Sequence, residues 1–511
     1  MSFLASYRFP FSRGRVADVM PLVGIVEHHL RVTCGANDEV LNGDVMRSPT
    51  LRAAPKARRV LIAGRGVAGL SLASDVQTSG DVVVGYLDDA VDDEEVLGPL
   101  STVGEVCRQN SIDVVYFAIP SSSAEVLQGF LTLVPPGVEF AIIPRTYRIV
   151  SRDRVSVSDL TDVGVLDLVG RAPVKHNLGE ARAAIANRRI MVTGAAGSIG
   201  SRLFQQLLDL DPQLVVGVDR SESGIFHLGQ RLALSDRTKF EIGDVQSEER
   251  MAGLIAEYRP ELLFHVAAYK HVPLMQDNPI EAFNNNVWGT LNVLRQAAQH
   301  NVGRVVYVST DKAVNPTNVM GATKRLGELM LQDFSSQYPR TKFNGVRFGN
   351  VLESEGSVMQ TFRRQLRSAQ DLTVTHPDIT RYFMTIDEAS QLVIQSATAG
   401  KPGDLFVLDM GDPIRVLDLA RALVGAVNPS LDVQIIGLRP GEKMFEELSY
   451  DSSRVDSTSH PKIFVVSETG LPDPGSTVRW AEEVIALTRS YTISEMELLS
   501  RMRDFGFNGL N

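Results

Sequence analysis

A chain of 511 residues, 44% hydrophobic and 22% charged, has room for two or three domains with their own cores and is no candidate for broad disorder. Its 51 basic and 61 acidic residues leave a net charge of −10, which argues against a nucleic-acid or anionic-membrane partner. Cys34 and Cys107 are the only cysteines, too few for a disulfide framework or a cysteine zinc site, and a reducing, cytoplasmic setting is expected.

Residues 1–56 form an irregular lead with one helix near 16–31. No run there approaches the roughly 20 apolar residues of a membrane span. The stretch Ala17 to Val26 is broken by Asp18 and ends at Glu27, His28 and His29, and Arg13 and Arg15 precede no signal-peptide core, so a soluble protein without a membrane span is expected. From Arg59 the pattern changes to a strand through Ala63, the turn Gly64-Arg-Gly-Val-Ala-Gly69, a helix to Val76, and a strand Val82 to Leu87 closed by Asp88 and Asp89. Further strands at 113–118 and 138–143 alternate with helices, which makes 57–148 a small Rossmann-like domain.

After a polar linker, 149–187, the same opening returns. Arg189 to Thr193 is a strand, Gly194-Ala-Ala-Gly197-Ser198-Ile199-Gly200 turns into a helix through Leu208, and the next strand ends at Asp219. Glycines permit the tight turn and the close backbone approach, while free helix N-terminal amides attract a pyrophosphate. Asp219, 25 residues after Gly194, stands where an acid binds adenosine ribose hydroxyls, which favours NAD over NADP, although Arg220 beside it would suit a 2′-phosphate. The first glycine turn is read as helix–strand packing or a regulatory ligand site. Residues 188–350 thus read as an NAD-binding Rossmann domain, 351–455 as shorter interleaved elements, and 456–511 as a peripheral segment with helices near 477–489 and 493–503. The fold class is α/β, with two Rossmann-like, doubly wound parallel-sheet domains and a smaller C-terminal subdomain on the second.

Ser309, Thr310, Asp311 and Lys312 follow an apolar strand, where side chains face the ligand crevice, and Met320 and Lys324 lie one helical turn apart. The glycine turn, the Ser-Thr-Asp run and the Met320/Lys324 pair together resemble an extended short-chain dehydrogenase/reductase. More narrowly, His265-Val-Ala-Ala-Tyr-Lys-His-Val-Pro-Leu274, the run Ser309 to Lys324, and Val374-Thr-His-Pro-Asp-Ile-Thr-Arg-Tyr-Phe-Met-Thr385 resemble the CapD-type polysaccharide-biosynthesis family of nucleotide-sugar 4,6-dehydratases. The likeness spans about 57–465.

That resemblance implies oxidation of the sugar at C4 by NAD, loss of the C5 proton, departure of water from C6 and return of hydride to C6. It makes Asp311 the acid, Lys312 the C5 base and Thr310 a partner of the C4 oxygen. Lys312 would need a lowered pKa, which burial beside Lys324 and an oxidised nicotinamide would provide. The resemblance also sets Asp244, Val245, Ala267, Ala268, Lys270 and Lys324 along the cofactor. Asn350, Arg381 and Arg439 would hold the substrate pyrophosphate, Glu442 the uridine ribose, and Lys270 and His271 would adjoin the substrate. His271 and His376 sit in polar loops, where a His is more often structural, and no metal site is expected.

Two departures stand out. The Tyr that usually takes the C4 hydroxyl proton is Met320, which leaves Thr310, Asp311 or a water for that step; and Leu352-Glu-Ser-Glu-Gly356 is unusually acidic. Relatives with the extra domain often begin with membrane helices, which are not expected here. The leading expectation is a UDP-N-acetylglucosamine 4,6-dehydratase, soluble and homo-oligomeric. The alternatives are a UDP-hexose 4-epimerase and a non-catalytic nucleotide-binding protein.

Overall fold

The computed structural model describes residues 57–143 and 178–510, apart from short gaps at 92, 136, 233–234, 353, 429, 451–453 and 469–470. The lead at 1–56, with Cys34 and the helix expected near 16–31, lies outside the described residues, as does most of the 149–187 linker.

Near-continuous runs of Val, Ile and Leu bounded by glycine turns make strands that are covered on both faces. Four of them, β1 (Arg59–Ala63), β2 (Val82–Leu87), β3 (Val114–Phe117) and β4 (Glu139–Ile142), form a parallel sheet in the order β2-β1-β3-β4. Leu61, Val115, Phe117 and Phe130 fill one face, and Val60, Ile62, Leu72 and Tyr116 the other.

The larger sheet begins with β5 (Arg189–Thr193), β6 (Leu214–Asp219) and β7 (Thr238–Ile242) and continues with β8 (Leu262–His265), β9 (Arg304–Val308) and β10 (Lys342–Arg347). Its spatial order is β7-β6-β5-β8-β9-β10, all parallel, extended past β10 by parallel Leu405–Leu408 and then antiparallel Ile463–Val466 and Val455–Ser457. Strand order reverses between β5 and β8, which opens a crevice beyond their carboxyl ends. A third core, around Phe362, Leu372, Phe383 and Leu419, supports the segment that rises over that crevice.

The helices Ser476–Arg489 and Glu495–Asp504 are not peripheral. Ala481, Val484, Leu498 and Met502 join the same core as Leu326 and Met330 of the helix Val319–Gln337, and nearly every turn of that helix is buried. Amphipathic spacing predicts these helices but not which surface they cover. Among the described residues no helix is long and apolar enough to cross a membrane.

Candidate active site

The turn after β5 is shaped by close backbone packing. Gly194 has φ +71°, and a Cβ there would lie 2.6 Å from the Ala267 nitrogen; at Gly200 it would lie 2.0 Å from the Gly194 carbonyl. Gly197 differs, because its nearest neighbour would be the Gly194 oxygen at 3.3 Å, so it borders open space. It precedes the helix Ser198–Leu208, whose first amides receive no side-chain cap and point into the crevice. The Asp219 carboxylate accepts from the Ala196 amide at 3.0 Å and the Ser221 amide at 2.9 Å, bracing the turn. Arg220 stacks over the Tyr269 ring at 4.5 Å, 4.0 Å from Asp244.

Every residue expected along the cofactor, from Gly194 to Lys270, lines one cavity of about 550 Å³. Uncapped amides, a glycine open to the cavity and Lys270, whose pKa is lowered by burial, make this wall fit a dinucleotide pyrophosphate. The turn after β1 repeats this geometry: a Cβ at Gly69 would lie 1.9 Å from the Gly64 carbonyl, Gly66 borders open space before an uncapped helix, and Asp88 accepts from the amides of Arg65, Ala90 and Val91.

The chemical groups stand beyond β9. Thr310 opens a short helical turn, Asp311–Ala313, and its hydroxyl donates to Asp311 Oδ1 at 2.8 Å. Lys312 Nζ donates to the same oxygen at 3.0 Å and to Asn350 Oδ1 at 3.0 Å. A Cβ at Gly321 would lie 2.2 Å from the Lys312 carbonyl, so only glycine lets the helix bearing Met320 and Lys324 sit tight on this turn. Thr310, Lys312, Met320, Lys324, Asn350 and His271 all line the cavity, while Asp311 is fully buried just behind its wall.

The expected electrostatics are reversed between the two lysines. Burial opposes the charge on Lys312, but Asp311 at 3.0 Å and Glu446 at 3.4 Å outweigh it, so its pKa is raised rather than lowered; the cation expected beside it, Lys324, is not its partner. Lys324 is the lysine driven toward neutrality. It is buried, it leans on the Tyr307 ring, and burial brings its pKa down to about 7, offset only in part by Glu328. His265 lies beneath, bridging Thr193 and Thr290, and burial followed by the Lys324 charge keeps it neutral, with a pKa of about 3.

The expected substrate cations do not line the cavity. Arg381 spends its guanidinium on the Thr380, Lys443 and Met444 carbonyls and on Glu442, pinning the loop that carries them, while Arg439 is exposed. Glu442 accepts from Thr375 and from the Arg439 amide. Arg347, at the end of β10, is fully buried and paired with Glu328 and Glu468. The acidic loop after Leu352 closes on the cofactor wall instead, where the Glu355 amide donates to Ser198 Oγ at 3.0 Å and Gly356 abuts His271. His376 accepts at Nδ1 from the Asp378 amide.

Sequence reasoning missed Glu446. It is buried behind Lys312 yet sits in Gly441-Glu-Lys-Met-Phe-Glu-Glu447, where nothing separates it from the solvated charges around it. It also missed Glu328, which accepts from Ser309 Oγ at 2.6 Å, although its i+4 spacing from Lys324 was available as a signal.

Comparison with known proteins agrees with this architecture. Residues 190–468 match the family described as polysaccharide biosynthesis protein. The capsular polysaccharide biosynthesis protein CapD of Staphylococcus aureus is 38% identical over 415 residues, covering 77% of this chain and 69% of that protein. A UDP-glucose 4-epimerase of Rickettsia bellii is 35% identical over 322 residues, covering 60% and 91%. Among solved structures, Pen from Bacillus thuringiensis is 32% identical with a TM-score of 0.53, covering 57% of this chain and 90% of Pen.

Proposed function

The chain belongs to the polysaccharide biosynthesis protein family, and from that premise we propose that it is an NAD-dependent 4,6-dehydratase of a UDP-linked hexose, with UDP-N-acetylglucosamine as substrate. The observation that carries this reading is the Lys312–Asp311 hydrogen bond of 3.0 Å at the end of β9, an amine on the wall of a cavity fit for a dinucleotide paired with a carboxylate just behind it. An epimerase needs neither group at C5 and C6.

NAD held along the wall from Gly194 to Lys270 would supply the hydride acceptor for C4 and the donor for C6. The chain's own residues handle the protons. Lys324, neutral in half the molecules at about pH 7, takes the C4 hydroxyl proton in place of the tyrosine absent at 320. Lys312 passes its proton to Asp311 along their hydrogen bond, which creates a neutral amine and a carboxylic acid in one move. The amine takes the C5 proton made acidic by the C4 ketone, and Asp311 protonates the C6 oxygen, which leaves as water. Lys312 then returns a proton to C5, and the proton held on Lys324 restores Lys312 through water. A raised pKa on Lys312 is compatible with this scheme because the amine is freed only by transfer to its neighbour.

Incubation with UDP-N-acetylglucosamine in deuterated water tests the reading. The expected product is the UDP-4-keto-6-deoxy sugar with deuterium at C5, seen by NMR. A C4 epimer without deuterium would make the protein an epimerase, and tight NAD binding without turnover of any UDP-sugar would make it a non-catalytic binder.

A further inference from the structure

Lys312 is faced from four elements. Asp311 reaches it from the end of β9, Asn350 from the strand Asn350–Val351, and Glu446 from the loop after Arg439 at 3.4 Å; Arg381, on the strand Thr380–Arg381, stands 3.9 Å from Glu446 and is itself paired with Glu442. Two buried carboxylates therefore share one lysine. Each keeps an oxygen with no hydrogen-bond partner, Asp311 Oδ2 and Glu446 Oε2.

The proposed proton path needs Asp311 to change its charge, since it must hold a proton before elimination and lose it afterwards. If Asp311 were the only countercharge, its protonation would leave Lys312 to become an ammonium ion, on accepting the C5 proton, beside a neutral acid. Glu446 does not line the cavity, but it keeps its carboxylate 3.4 Å from Nζ through that step. We infer that Glu446 is a positioning residue for Lys312, holding Nζ against Asn350 and supplying the permanent countercharge that lets Asp311 cycle as the acid. This role rests on the dehydratase reading, but the electrostatic link it asserts is present in the protein without substrate.

The test compares the parent protein with Glu446→Gln and Glu446→Asp by two readouts. Competitive acetylation followed by mass spectrometry gives the titration of Lys312 in the substrate-free protein, and the pH dependence of kcat with UDP-N-acetylglucosamine gives its effect on turnover. Glu446→Gln should move the Lys312 titration down by about one pH unit or more and carry the alkaline limb of kcat down with it, because turnover starts from a protonated Lys312. Glu446→Asp should retain most of the parent behaviour, and in a Lys312→Ala background Glu446→Gln should move neither limb further. A folded Glu446→Gln protein with the parent's Lys312 titration overturns the inference. If that variant does not fold, Glu446→Asp must show a smaller downward shift, and the parent titration there overturns it equally. Should the parent fail to turn over the sugar nucleotide, the dehydratase reading falls alone, because the acetylation result still decides the electrostatic link.

Discussion

Lys324 places its Nζ 4.1 Å from the centroid of the Tyr307 ring, in a pocket where the Tyr307 hydroxyl is already turned to the Lys324 carbonyl at 3.3 Å. The ring stabilises the cation only partly, and burial wins, bringing the amine to about pH 7. This places an amine of lowered pKa one helical turn from Met320.

Lys324→Met should cut kcat by about 10² to 10⁴, the usual share of a positioned base. In the parent, activity should fall below about pH 7 as Lys324 gains its proton. Stability should rise with pH as well, over a higher range. The folded pKa of about 7 lies below the ordinary 10.5, so between those values the unfolded chain binds the extra proton and stability climbs as pH rises; below 7 the full cost of the buried charge is present. Lys324→Met should therefore melt higher than the parent at pH 6, by at least about 2 °C, with the gap narrowing toward pH 10. A scanning-calorimetry series over pH checks this.

Lys312→Ala should lower turnover by about 10² to 10⁴ and abolish solvent deuterium exchange at C5, while NAD affinity measured by calorimetry stays within about threefold. Near-normal exchange in that variant would remove Lys312 from the mechanism.

Gly197 and Gly200 should respond differently to alanine. A Cβ at 200 meets the Gly194 carbonyl at 2.0 Å, so Gly200→Ala should destabilise the fold by about 1–3 kcal/mol. At 197 the nearest atom would be 3.3 Å away, so Gly197→Ala should fold with a melting temperature close to the parent's but bind NAD at least about tenfold more weakly, because the methyl occupies the approach of the pyrophosphate. Equal losses of stability in the two variants would contradict this division.

Arg347→Met should cost about 3–5 kcal/mol in urea unfolding, because it strands Glu328 and Glu468 as buried charges with only Arg325 between them. Replacing Arg347, Arg325, Glu328 and Glu468 together by apolar residues should recover much of that loss.

The glycine turn, Asp219 and the Ser309–Lys324 stretch were readable because each depends on local geometry. A strand, a tight turn and a helix start lie within about a dozen residues, and their spacing alone brings amides and acid to one crevice. The surroundings of Arg381 were not readable for the opposite reason. An Arg looks the same in sequence whether its guanidinium is free or, like that of Arg381, clasps three backbone carbonyls 1 to 63 positions away.

Sequence by itself determined the two parallel sheets, their glycine turns and the pairing of an acid with a lysine at the end of β9, since hydrophobic period and turn chemistry act over a few residues. Tertiary structure alone decided which lysine is neutral. That depends on the charges packed around each amine, and Glu446 reaches Lys312 from 134 residues away, while Lys324 gains little beyond an aromatic face and a dry pocket.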